Sequence, residues 1–181
     1  MMVVVVRSYT GTESRFFAVP SSIISAAPHC VANFEGGTSV AINIRGMTPL
    51  LQVFDMATSL KFYCDVLGFE IVMADSNTVA PNHNWVWLRL GGADVMLNTA
   101  YEYEHRPSLP DPLRIRSHHD TCLYFGAPDV DAVHEHLISR GIQVKMPEIA
   151  PYGMKQLYLL DPDGFNLCFQ WKVEVTSKTS A

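Results

Sequence analysis

The chain has 181 residues, enough for one domain or two very small ones, and at 48% hydrophobic and 17% charged it can bury a substantial core. Its formal net charge is −5, and from Gly46 to Lys172 nine Lys and Arg stand against fifteen Asp and Glu. This argues against a nucleic-acid partner, which needs a basic face, and no apolar run approaches the roughly 20 residues of a membrane span.

Residues 1–45 have no sustained hydrophobic period and are rich in small and hydroxyl side chains. "FFAVPSSIISAA" imitates a signal peptide poorly, because it starts late and is broken by Pro20. Two readings stay open for this stretch. It is a flexible extension, or residues 1–39 are a translated leader and the native start lies near Val40. Glu35-Gly36-Gly37 can be written in codons that resemble a ribosome-binding site. Cys30, Cys64, Cys122 and Cys168 form no CxxC and no disulfide framework. Reduced thiols and a cytoplasmic location are therefore expected.

From Met47 the chain reads β-α-β-β-β twice. "TPLLQVF" is a strand. Asp55 can cap a helix with apolar Leu60, Tyr63 and Leu67 at i, i+3 and i+7, and Gly68 ends it. "FEIVMA", "NWVWLRL" and, after Gly91-Gly92, "ADVMLNT" complete a first module of about 47–100. A long Pro-containing connection, 101–117, follows. The second module, about 118–171, opens with "DTCLYFGA". Asp129 can cap a helix carrying Val130, Val133 and Leu137, and Gly141 ends it. "IQVKM", "KQLYLLD" and "FNLCFQW" are the last strands. Asp161-Pro162-Asp163-Gly164 joins the final two as a type I turn. Residues 173–181 form a tail. Asp55 aligns with Asp129 and Gly68 with Gly141, so two similar halves imply a pseudo-twofold α+β domain over 46–172.

Three stretches carry a family resemblance: "VFDMATSLKFYCDVLGFEIV", "FGAPDVDAVHEHLISRGIQV" and "LYLLDPDGFNLCFQW". Together and in this order they resemble the vicinal oxygen chelate superfamily of glyoxalase I, bleomycin resistance proteins and extradiol dioxygenases. The resemblance implies two βαβββ modules forming a cupped mixed sheet, usually in a homodimer, with a pocket in the cup. It also implies up to four metal-ligand positions. Carried onto this chain, these are Thr48, Met96 or Asn98, Cys122 and Cys168. None is a carboxylate or imidazole, so the set offers little to a hard cation. The chain thus resembles the branch that binds a small molecule without a metal.

Each singled-out group has a plainer reading beside the functional one. Cys122 and Cys168 are small polarisable fillers, or a redox or soft-metal pair, or a nucleophile. His118 and Asp120, in "SHHD", share the strand parity of Cys122. They either start a strand in solvent or point into the cup, where His118 is the candidate acid–base residue. His118, Asp120, Cys122 and Cys168 are the alternative ligand set for one divalent metal ion in a lyase, isomerase or dioxygenase. His134 and His136 cannot share one helix face and read as solvated surface; His83 and His105 show no partner pattern. Trp85 and Trp87 share a strand face, as core or as a stacking wall, and Tyr101 and Tyr103 follow the next strand. Arg114 and Arg116 read as solvated, or as a hold for an anion. Gln52 and Gln170 share faces with Thr48 and Cys168, so each orients a ligand or bonds within the protein. The expected ligand-binding set is Thr48, Gln52, Trp87, Asn98, Cys122, Tyr124, Cys168 and Gln170, with no cofactor and a small-molecule partner.

Overall fold

The computed structural model describes residues 44–173. The Val40 start, Cys30 and most of both terminal segments lie outside them. Asp55 has extended backbone, φ −135°, and its carboxylate accepts from Thr58 N at 3.2 Å. This caps α1 (Met56–Leu60), which continues as a wider π-type segment, Lys61–Val66. Gly68, at φ +87°, turns the chain out of the helix. β1 (Leu50–Val53), β2 (Glu70–Ala74), β3 (Trp85–Leu90) and β4 (Ala93–Thr99) form one sheet in the order β1-β4-β3-β2. β1 runs parallel to β4, and the other pairs are antiparallel.

The connection is more structured than expected. It contains α2 (Pro112–Ser117), capped by Asp111, which accepts from Leu113 N at 2.9 Å. Proline at the first helical position has no N–H to leave orphaned, so Asp111-Pro112 was a readable start signal. A short 3₁₀ turn, His118–Asp120, precedes β5 (Cys122–Gly126), so the strand expected in "DTCLYFGA" begins only at Cys122. α3 (Val130–Ser139) is capped by Asp129, which accepts from Ala132 N at 2.9 Å. "IQVKM" is not a strand. Its Ile142 and Val144 still pack on the core, but Pro147 follows and no ladder forms. Pairing resumes at β6 (Glu148–Ile149), then β7 (Met154–Leu160) and β8 (Asn166–Lys172). The second sheet is ordered β5-β8-β7-β6 and repeats the first.

The expected paired modules are thus present as two four-stranded mixed sheets. Each sheet has one face against the helices. In the first, Leu51, Val53, Val86, Leu88, Val95 and Leu97 are at most 3% exposed and share a core with Met56 of α1 and Tyr63 of the π-type segment. In the second, Leu123, Leu157, Leu167 and Phe169 pack with Val130 and Leu137 of α3. Each fully buried Leu or Val contributes about 1.5–3 kcal/mol of transfer free energy. Phe69 meets Phe125 edge-on at 6.0 Å, making one core of both modules.

Polar groups join the modules at the Asp161–Gly164 turn. Gly164 N bonds Asp161 O at 3.1 Å, closing the expected turn. The two aspartates of that turn are buried and reach the first module. Asp163 Oδ1 accepts from Phe54 N at 2.7 Å, and Asp161 Oδ2 accepts from the buried Tyr63 hydroxyl at 3.0 Å. Asp161 also accepts from the N–H groups of Asp163 and Phe165 at 2.9 and 2.8 Å. Burial, aided by the charge of Asp163, still pushes the Asp161 carboxyl up to about 6. The raised value means that the folded chain binds this proton where the unfolded chain has lost it. Its contribution to stability is therefore complete below about pH 4 and is lost as pH rises to about 6. Relative to Asp161→Asn, the native chain should lose about 2–3 kcal/mol between those limits. Urea unfolding of both proteins at several pH values measures this, and a pH-independent difference would refute it.

Candidate functional site

The faces of the two sheets turned away from the helices carry the chemistry, and strand register decides what each presents. In the first sheet Gln52, Asn98 and Trp85 form one row, and Leu50, Met96, Trp87 and Met73 the next. In the second, Tyr124, Cys168 and Tyr158 form a row, beside a row of Gly126, Gln170 and Gln156. Leu50 and Tyr124 each stand five residues before their helix cap. Leu50 pairs with Met96 as Tyr124 pairs with Cys168. Met96 is therefore the counterpart of Cys168, and Asn98 the counterpart of Gln170. This removes the ambiguity over which residue occupies the second ligand position.

Cys168 has 0% exposure although its face is open. It lies between Tyr124 and Tyr158, whose rings meet edge-on at 6.4 Å. A small residue between two large ones is covered by them. Burial pushes its thiol up to about 11, and burial also raises Cys122. The hydroxyls and amides around it are bonded to one another. Tyr152 and Tyr158 donate to Gln156 Oε1 at 3.0 and 3.2 Å, and Gln156 Nε2 donates to Gln170 Oε1 at 2.7 Å. Tyr124 and Tyr158 hydroxyls are 3.5 Å apart. Tyr152, Gln156 and Tyr158 are members of this site that the sequence reading missed. Counting equal distances either side of the turn would have placed Tyr158 opposite Cys168 and Gln156 opposite Gln170.

The four positions where the resemblance implies metal ligands hold Thr48, Met96, Cys122 and Cys168. A hydroxyl, a thioether and two thiols offer a divalent cation no carboxylate or imidazole. Among the described residues no three His, Cys, Asp or Glu side chains gather closely enough to hold a metal ion. These residues do not fit a divalent cation.

Nor are His118, Asp120, Cys122 and Cys168 brought together. His118 stacks on Phe165, with ring centroids 4.0 Å apart and planes 8° apart, and its Nδ1 donates to Asp163 O at 2.7 Å. Burial lowers its pKa, so the ring is neutral near pH 7. Its parity with Cys122 does not arise, because a 3₁₀ turn separates them. Arg114 is engaged too, donating to Gln52 O at 2.6 Å. His136 is not merely solvated: its Nε2 donates to Val66 O at 2.7 Å across the modules. Trp87 lies under the guanidinium of Arg89 at 5.8 Å, and Arg89 holds Asp94 at 2.7 and 3.0 Å.

A groove of about 790 Å³ opens elsewhere, at the junction of the modules. Its walls include Phe69, Val95, Leu123, Phe125 and Leu137. Its carboxylate and imidazole, Asp94 and His136, are committed to Arg89 and Val66. It touches the open faces at Asp94 on β4 and at Tyr124 and Gly126 on the β5 edge. The open faces, with their array of aromatic, amide and hydroxyl groups, are the better candidate.

Comparison with known proteins agrees with this architecture. The sequence profile of the Glyoxalase/Bleomycin resistance protein/Dioxygenase superfamily matches residues 45–169. YaeR of Escherichia coli (strain K12), itself uncharacterised, is 31% identical over 122 residues, 62% of this chain and 84% of YaeR. The structure of a bleomycin resistance determinant encoded on transposon Tn5 superposes with a TM-score of 0.55 at 24% identity, covering 72% of this chain and all of that one. A bleomycin-binding protein from Streptomyces verticillus, complexed with copper(II)-bleomycin, superposes with a TM-score of 0.52 at 19% identity, covering 71% and 97%.

Proposed function

Because the chain belongs to the Glyoxalase/Bleomycin resistance protein/Dioxygenase superfamily, we propose that it binds a small organic molecule on the open faces of its two sheets and uses no metal ion there. The observation that carries this is the pairing of exposed apolar and aromatic groups with neutral residues at every implied ligand position. Leu50, Met73, Tyr158 and Leu160 are 47–54% exposed, on faces that also carry Trp87 and the linked glutamines. Such surface is costly to leave in water and suits an organic ligand. Small-molecule binding or sequestration is the corresponding role; the Streptomyces verticillus neighbour is a bleomycin-binding protein.

A second copy of the chain completes the pocket. Among the described residues no hydrogen bond joins the two open faces. The bonds between modules run instead through the Asp161–Gly164 turn and through His136. A homodimer would bring the face of one module over that of the other. Free Cys64, Cys122 and Cys168 suit a reducing cytoplasm. Among the described residues no helix is long and apolar enough to cross a membrane.

Two measurements test the proposal. Protein purified without chelators should carry far less than one equivalent of Ni, Zn, Mn or Fe by mass spectrometry. Cys168→Glu should stay metal-free too, since Thr48, Met96 and Cys122 remain neutral. The neutral dye N-phenyl-1-naphthylamine should bind saturably, with about tenfold weaker binding after Trp87→Ala. A stoichiometric metal ion, or a dye response indifferent to Trp87, would overturn the reading.

A further inference from the structure

The hydrogen bonds on the second sheet determine what they can offer a ligand. Tyr152 and Tyr158 both donate to Gln156 Oε1, which fills its two lone pairs. Tyr158 has then spent its one proton, so Tyr124 is the donor in their 3.5 Å contact. Gln156 donates to Gln170 Oε1. The chain of bonds ends with a free acceptor on the Tyr124 oxygen and free donors on the Gln170 amide nitrogen. Turning both amides over reverses every bond and exchanges the two ends. In either state one end gives a proton and the other accepts one.

The array is also uncharged. Its rows are Tyr124, Cys168 and Tyr158, then Gly126, Gln170 and Gln156, with no carboxylate, ammonium, guanidinium or imidazole among them. The nearest ionised groups stand at the margins. Glu148 pairs across from Gln156, Lys172 lies two residues beyond Gln170, Arg114 is spent on the Gln52 carbonyl at 2.6 Å, and Arg89 and Asp94 neutralise each other. A charged ligand on the central rows would lose water and meet no counter-charge. The first sheet supplies the complementary surface: the planes of Trp85 and Trp87 and the side chains of Leu50 and Met96, with amides only in Gln52 and Asn98.

From these two faces, which the second copy of the proposed homodimer would bring together, we infer that the ligand is an uncharged, planar aromatic molecule carrying both a hydrogen-bond donor and an acceptor, stacked on the tryptophan side and read along its polar edge by Tyr124, Tyr158 and Gln170. The inference rests on the reading of the open faces as the binding site. It runs against the acidic balance of the chain, which alone would favour a cation. That long-range attraction is screened beyond about 8 Å at physiological salt, whereas desolvation acts at contact.

Three probes of one shape separate the possibilities: 2-naphthamide, the 2-naphthoate anion and the 2-naphthamidine cation. Each is titrated against dye-loaded protein at about 0.15 M salt. The amide should displace the dye at concentrations about tenfold lower than either ion. Tyr158→Phe and Gln170→Leu should each cut the amide's advantage over unsubstituted naphthalene several-fold, both probes being compared within the same variant so that any change in dye affinity cancels. An ion that competes as well as the amide, or variants that leave the amide's advantage intact, would overturn the ligand class alone. A dye that never binds saturably would instead remove the site, and this inference with it.

Discussion

Asp163→Ala is expected to destabilise the protein by about 2–4 kcal/mol, the loss that follows when a buried backbone donor is orphaned and its neighbours lose their partner. The side chain accepts from Phe54 N at 2.7 Å and lies 3.4 Å from the buried Ser59 hydroxyl. Phe54 leads from β1 into the cap of α1, so this bond ties the first module to the last hairpin. Alanine leaves the Phe54 N–H without an acceptor and cannot admit water at a site only 3% exposed. Asp163→Asn keeps an amide oxygen for Phe54 and should lose less, about 1 kcal/mol. Either variant should also lower the Asp161 carboxyl from its raised value, because the charge of Asp163 helps to hold it there. Denaturant unfolding gives the stabilities, and an NMR titration gives the Asp161 pKa. Equal losses in both variants would mean that the charge, not the acceptor, matters.

Gly164→Ala is expected to cost a similar amount, about 2–4 kcal/mol, by another route. Gly164 sits at φ +84°, where an added Cβ is strained by about 1–2 kcal/mol whatever the space around it. Here the space is filled as well. The new carbon would lie 2.8 Å from Ile115 Cγ2 and 2.8 Å from the Ile115 carbonyl oxygen. A side chain can rotate away, but the carbonyl moves only if α2 moves. α2 carries Arg114, whose guanidinium holds the Gln52 carbonyl at 2.6 Å beside the open face. Amide exchange near Gln52 should therefore quicken in the variant. Gly91→Ala is the control: its φ is +55°, and nothing lies within 4 Å of the added carbon. It should cost only the backbone strain, about 1 kcal/mol. A Gly164→Ala loss no larger than that of Gly91→Ala would refute the steric argument.

Both residues belong to the Asp161–Gly164 turn, and that turn shows what a sequence can and cannot reveal. Asp, Pro and Gly at their positions specify a type I turn, because each preference is local to four residues. The same local chemistry exposed Asp55 and Asp129 as caps and Gly68 and Gly141 as stops. It also held the signal for α2 in Asp111-Pro112, which a search for hydrophobic period passes over in so short a helix. "IQVKM" misled for the converse reason. Its alternation is real and buries Ile142 and Val144, but alternation alone does not provide a partner strand with free donors and acceptors.

The candidate site divides the same way. Gln52, Trp87, Asn98, Tyr124, Cys168 and Gln170 were reachable by parity along single strands, because side chains alternate faces at every second residue. Tyr158 and Gln156 needed cross-strand register, which the tight hairpin makes countable. His118 and Asp120 lie in a 3₁₀ turn, His118–Asp120, where the alternation of a strand does not apply.

Sequence alone determined the two βαβββ modules, their caps and turns, and the neutral residues at the implied metal positions. All of these follow from short-range backbone preferences and from the order of residue types. Only the tertiary structure decided that Asp161 and Asp163 bind the modules together. It also showed that His118 serves the turn, and that Cys168 lies covered between two tyrosines within one chain of hydrogen bonds. Those facts depend on contacts between residues far apart in sequence, Phe54 with Asp163 and Tyr63 with Asp161 among them. No local pattern encodes which distant group meets a buried donor, because that choice is made when two hydrophobic faces pack and every polar group trapped between them must find a partner.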